Sequence, residues 1–481
     1  MKRGVWVVVF FLAAALASAA STTETVAGFA RVASGRDGFE VQGEPWHPFG
    51  CNYFDPHVGW APKLWQQFDA AKVEEHFRVM RDLGVNVVRV FLTAQSFFPT
   101  GVELEPEALR KFDTMLDIAR RHGIRVHPTG PDHWEGRAAW RDTDFYADPA
   151  ALEAQARFWR LFAARYKDEP ALFAYDLLNE PHIRWSSPQM EPQWRAWLRQ
   201  RYARIDLLRQ AWGERAENVD TFEDAPAPPD AAAPGSRLLL DYQLFRESLA
   251  DRWTQIQVDA IRSVDPNHPI TVGLIQWSAP VLYGNPSVYC AFRPSRIAPM
   301  LDFQSVHFYP FFEGSPFASE ESFDLNRAYL ELLLRYVKAG APSRPLLVGE
   351  FGWHGGTGRL HDGKAAHTPE QQARWCRAAV LQGRGVAAGW LNWAYADTPS
   401  SRDMTKFSGL VTETGERKPW GRAFQALARD PAQWADGVQP PAAIVEFDVE
   451  RAITDSQAAQ AMLRGYCEAW KREKGCRLIV R

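Results

Sequence analysis

Two glutamates suggest what chemistry this 481-residue chain can do: Glu180 in the segment LLNEP at 177–181 and Glu350 in VGEFGW at 348–353, each just after a run of strand-forming apolar residues. Cleaving a glycosidic bond takes one carboxylic acid to protonate the departing oxygen and one carboxylate to attack or steady the sugar carbon. The pair suits that reaction, with Glu180 read as the acid and Glu350 as the nucleophile.

Such groups work only if the elements carrying them converge. After about residue 45 the chain alternates short β-branched or apolar runs with longer amphipathic stretches, the order of a parallel sheet with covering helices. Eight strands are expected: PFGCNYF at 48, VNVVRVFL at 85, IRVHPTG at 124, LFAYDLLNE at 172, PITVGL at 269, DFQSVHFYP at 302, PLLVGEFGW at 345 and AAGWLNWAY at 387. AKVEEHFRVMRDLG, EALRKFDTMLDIARRHG and LEAQARFWRLFAARYKDE read as helices, with Gly84 and Gly123 where a C-terminal stop belongs. Eight strands with crossovers imply a closed barrel, whose chemistry sits at the carboxyl ends of the strands. Arg89, His127, Asn179, Glu180, His307, Tyr309, Glu350 and Trp393 all fall in or just beyond the last half of an expected strand. Any one of them alone is most simply a satisfied core polar group or a solvated loop residue. Their joint placement on several strands points to a site.

The stretch after Glu180 is long. Residues 182–236 carry the amphipathic segment PQWRAWLRQRYARIDLLRQAWG and an acidic, Pro- and Ala-rich loop. This insertion is expected to wall one side of the pocket, shorten the cleft and favour chain-end or oligosaccharide cleavage. Beyond VQPP, residues 438–481 read as a small strand, helix, strand annex with no chemical signature, so the barrel domain is expected over 28–437.

Lys2 and Arg3, an apolar run from Val5 to Ala17 and the triplet Ala17-Ser18-Ala19 have the order of a secretory signal peptide over residues 1–20. A secreted or periplasmic protein is therefore expected, with no membrane association after cleavage. The formal net charge of -3 becomes -5 without Lys2 and Arg3, and no basic patch advertises nucleic acid. Five cysteines are too few and scattered for a disulfide framework; Cys467 and Cys476 are near enough in sequence to pair, and the alternative is that all five are small buried apolar groups.

These motifs resemble the clan A glycoside hydrolases, particularly the family five cellulases and mannanases, with an insertion similar to that of the family forty-two galactosidases. The likeness covers most of residues 38–430 and rests on NEP on strand four, HFY on strand six, GEFG on strand seven, NW on strand eight and Arg89 in VRVFL. It implies a (β/α)8 TIM barrel and hydrolysis of a β-glycoside with net retention, for which the two carboxyl groups stand about 5–5.5 Å apart. By the same resemblance, Arg89 and Tyr309 would hydrogen-bond the nucleophile, and the cation would lower its pKa. Asn179 would contact the sugar 2-hydroxyl, His307 would line that subsite, and Trp393 would offer its face to the sugar ring. His133 and Trp134, in DHWEG after strand three, are further substrate candidates. So are Trp60, Trp65, Trp277 and Trp353, of which half are expected to meet sugar.

Other constellations fail. GWHGGTG at 352–358 lacks the Lys and Ser/Thr of a phosphate loop. His354, His361 and His367 share a loop without the spacing or thiols of a zinc site. No cofactor and no required metal are expected, and the partner is a β-linked carbohydrate bound by a monomer. The acid pair leaves open a transglycosylase using the same site, or a carbohydrate-binding barrel without turnover. Glucan, mannan and galactan stay undistinguished.

Overall fold

The computed structural model describes residues 26–35, 37–59, 63–132, 138–229, 234–281, 285–311, 315–360, 362–435, 437, 443–473 and 475–481. The expected leader at 1–20 lies outside them.

All eight expected strands are present. Strand one (Phe49–Asn52), two (Val87–Thr93), three (Arg125–Asp132), four (Tyr175–Asn179), five (Ile270–Leu274), six (Gln304–Phe308), seven (Leu346–Phe351) and eight (Gly389–Asn392) pair in parallel, each with its sequence neighbours, and strand eight closes on strand one. Nearly every strand residue is buried, because helices cover the outer face and side chains fill the interior. That burial on both faces is why the strands read as apolar runs rather than alternating ones.

Local chemistry sets the helix limits. Asp69 caps Ala70–Asp82 through the amides of Ala71 and Lys72, and Asp148 caps Pro149–Tyr166 through those of Ala150 and Ala151. After Ala70–Asp82 and Pro106–Arg121, Gly84 (φ 83°) and Gly123 (φ 69°) take the left-handed conformation that a side chain disfavours, which ends each helix.

Three further features complete the fold. Ala30–Val32, Phe39–Val41 and Glu44–Trp46 form a small antiparallel sheet whose Phe39 and Trp46 pack on Phe173 near the amino ends of the strands. In the insertion, helices Met190–Tyr202 and Ile205–Trp212 fold outward, where Trp185 and Trp194 pack on Tyr242 of the long helix Arg237–Arg262. The annex pairs Ile444–Phe447 with Arg477–Val480 across helix Ser456–Glu473 and docks on Glu331 of helix Glu320–Gly340. All five cysteines are free and buried, so the pairing of Cys467 with Cys476 is not formed. The five thiols serve instead as small apolar groups, with Cys476 held by its backbone against Glu331. Among the described residues no helix is long and apolar enough to cross a membrane.

Candidate active site

Strand four delivers Glu180 one residue past its end, in a left-handed conformation (φ 47°) that costs a residue with a Cβ about 1–2 kcal/mol. The Glu180 amide donates to the Gly273 carbonyl of strand five at 2.9 Å, which holds the turn. Strand seven carries Glu350 where its register against strand six shifts between Val348 and Glu350. Such irregularities re-aim side chains.

The two glutamates and His307 of strand six converge. One carboxylate oxygen of each acid and one His307 ring nitrogen lie within 4.8 Å of one another, with Nδ1 2.9 Å from Glu180 Oε1 and 3.5 Å from Glu350 Oε1. The nearest oxygens of the two acids thus lie within 4.8 Å, close enough for both to reach one sugar carbon and the oxygen bonded to it.

Arg89 is the hub beneath them. It meets Asp176 at 2.7 Å and donates to Glu350 Oε1 at 2.8 Å, Asn179 Oδ1 at 2.8 Å and Asn52 Oδ1 at 3.0 Å. Tyr309 donates its hydroxyl to the other Glu350 oxygen at 2.8 Å and is itself held by its backbone amide on Gln276. Gly273 and Gly349 make room for this layer: a Cβ at Gly273 would lie 2.9 Å from both Asp176 Oδ2 and His307 Nε2.

Burial pushes the Glu180 carboxyl up to about 7 against the pull of Arg89. Burial raises Glu350 too, in spite of His307 and Arg89, so the lowering expected from the nearby cation is outweighed by desolvation. The neighbouring Glu180 pushes Glu350 further up, while the hydrogen bond from Tyr309 pulls it down. Burial takes His307 down to about 4, leaving a neutral imidazole between the acids at neutral pH.

Both glutamates open into a cavity of about 400 Å³ with Asn179, Tyr309 and Trp393. Trp277 and Phe311 form an aromatic corner of it, edge to face with centroids 5.5 Å apart. Trp393 donates its indole N–H to Thr405 at 2.8 Å. A second cavity, about 190 Å³, shares Asn179 and Glu180 and takes Arg141, His182 and Arg184 on its far side. Among the described residues the insertion thus contributes only its first ones, to this second cavity, while the loops after strands five, six and eight wall the main one. The reason is packing: from Trp185 onward the insertion turns outward onto Tyr242.

His307 lies in the floor with 1% exposure rather than on the cavity wall. His127 is buried in the barrel with Nδ1 on the Ala174 carbonyl. Trp65 and Trp353 turn into the core, with indole N–H groups on the Phe91 carbonyl and on His367. Trp60, His133, Trp134 and His361 lie outside the described residues. Asp176, Asn52, Gln276, Phe311, Asp403 and Met404 were not singled out from the sequence. Asp176 had a signal, since a charge inside an apolar run of a buried strand requires a partner. The loop residues had none.

Two groups of described residues could gather around a metal, Glu180 with His307 and Glu350, and Asp55 with His57 and His76. In the first, Arg89 already supplies the positive charge that Glu350 needs.

A family model described as beta-galactosidase, glycoside hydrolase family 42, matches residues 127–433. Beta-galactosidase BgaA of Thermus sp is 26% identical over 318 residues, which are 59% of this chain and 44% of that protein. The chain spans less than half the length of the first relatives it matches. Among solved structures, a GH5_18 variant from Streptomyces cattleya in complex with Manb1-4GlcNAc superposes with a TM-score of 0.66 at 19% identity, covering 90% of this chain and 94% of that one. Exo-beta-1,4-mannosidase Op5Man5 from Opitutaceae bacterium strain TAV5 does so at 0.64 and 18%, covering 93% and 72%. At those identities the likeness is one of fold.

Proposed function

The chain belongs to the beta-galactosidase family of clan A glycoside hydrolases, and from that premise we propose that it is a retaining β-glycosidase acting on short β-linked oligosaccharides. The observation that carries this reading is the meeting of Glu180 and Glu350 at one cavity, with oxygens within 4.8 Å and with the Glu180 carboxyl pushed up to about 7 by burial.

In the proposed reaction a sugar occupies the main cavity and its leaving group lies toward the second. Glu350 attacks the anomeric carbon, steadied by Arg89 and Tyr309, while Glu180 donates its proton to the departing oxygen. The glycosyl-enzyme ester then yields to water, which Glu180 deprotonates. Asn179, held by Arg89, is the residue proposed to meet the 2-hydroxyl. Two small cavities meeting at Glu180 favour short substrates over a polymer threading a groove. The leader expected at 1–20 would send the enzyme out of the cytoplasm.

The test is hydrolysis of aryl β-galactosides, β-mannosides and β-glucosides, with the anomer of the first product read by proton NMR. Release of the β-anomer supports the proposal. Release of the α-anomer, or no turnover of any β-glycoside, overturns it.

A further inference from the structure

On the flank of the barrel, the loop after strand one carries Asp55 and His57, and helix Ala70–Asp82 presents His76 to them. One ligand atom from each lies within 4.8 Å of the others. His57 Nδ1 and Asp55 Oδ1 stand 3.2 Å apart, close to the edge of about 3.3 Å expected for a tetrahedron with metal bonds of about 2.0–2.1 Å. We propose that these three residues form a divalent-cation site, suited to zinc, that is distinct from the acid pair and structural in role.

Asp55 is the first argument. Its side chain is 4% exposed, and among the described residues no lysine or arginine pairs with it. Buried carboxylates are paired or coordinate metals. The backbone amide of His57 holds Asp55 Oδ1 at 2.9 Å, so the carboxylate is fixed in place.

The surroundings have the form of an outer shell. The Tyr53 hydroxyl meets His76 Nδ1 at 3.0 Å, which orients the ring and leaves Nε2 for an ion. His57 and His76 border a cavity of about 290 Å³, room for a water as fourth ligand. Glu75 and Glu413 line it against Lys72, so with Asp55 the local balance favours a cation. Two imidazoles and one carboxylate with an open position are a donor set for zinc rather than for calcium or magnesium.

The ion would tie the strand-one loop to the first barrel helix. Asp55 follows Phe54, whose ring packs 5.8 Å from that of Trp393 on the main cavity. The site would thus brace one wall of that cavity and take no part in bond cleavage.

The experiment is zinc titration of the chelator-treated full chain by calorimetry, with thermal unfolding in parallel. One equivalent is expected, with a rise in Tm. In His57→Ala, whose side chain is half exposed and so tolerant of change, affinity should fall at least about tenfold and the Tm rise should vanish. Tyr53→Phe should weaken binding by about tenfold with the stoichiometry kept. No stoichiometric binding overturns the proposal. So does an affinity that His57→Ala and Asp55→Asn both leave unchanged, which would place the zinc elsewhere.

Discussion

Arg89 and Asp176 form an ion pair at 2.7 Å in which neither side chain reaches solvent. The pair spans strands two and four, and Arg89 uses its remaining donors on Glu350 and Asn179. The position of the proposed nucleophile is therefore fixed by a charge buried beneath it.

Asp176→Asn leaves a buried guanidinium short of one partner. Removing one member of such a pair costs about 3–5 kcal/mol, and Glu350 offsets part of this, so about 3 kcal/mol is expected from urea unfolding. A change below about 1 kcal/mol would show that the pair is not a support.

Glu350→Gln turns the proposed attacking carboxylate into a neutral amide of the same shape. Turnover should drop by about 10⁴-fold while calorimetry finds sugar affinity nearly unchanged. In Glu350→Ala, added azide should restore product release as an α-glycosyl azide, an outcome only an empty nucleophile position gives.

The proposed hydrolysis needs Glu180 protonated and Glu350 ionised. The pH profile of kcat/KM should fall above about 7 as Glu180 loses its proton, and fall on the acid side at a midpoint above the ordinary carboxylate range. For an aryl glycoside with a good leaving group, Glu180→Gln should abolish the basic limb; its persistence would assign that limb to another group. Stability carries a matching sign. The folded chain keeps a proton on Glu180 that the unfolded chain gives up near 4.5, so this contribution is lost as pH rises from about 4.5 to 7.

Gly273→Ala would press a methyl against Asp176, His307 and Arg89 at 2.9–3.0 Å. Displacing that layer should lower kcat/KM by about 10²-fold. Gly465→Ala is the control: in helix Ser456–Glu473 its Cβ meets nothing within 4 Å, and the helix should gain up to about 1 kcal/mol with activity unchanged.

Glu331 accepts from Tyr466, Trp470 and the Cys476 amide, each at 3.0 Å, and from Arg335 at 2.8 Å. Glu331→Ala strands these donors and should cost about 3–5 kcal/mol. Limited proteolysis should then cut the annex away before the barrel; equal susceptibility of both would refute this docking role.

The barrel was legible because its signals are local. Eight apolar runs spaced by amphipathic helices announce strands whatever the rest of the chain does, and helix stops at Gly84 and Gly123 act through their own backbone. The meeting of the two carboxyl groups was legible for the same reason, since Glu180 and Glu350 sit at or near the carboxyl ends of strands whose closure brings those ends together.

What the sequence by itself determined is the order of the strands and which of them bear the two carboxyl groups. Tertiary structure alone decided which loop side chains face the cavity. Trp277 lines it while Trp65 and Trp353 turn inward, Phe311, Asp403 and Met404 wall it without any pattern to announce them, and the insertion stands aside. It also decided that burial outweighs the neighbouring cation at Glu350. The physical reason is common to all of these: a side chain's direction out of a loop, and the solvent left around a charge, depend on partners far away in the chain, and no local window of residues contains them.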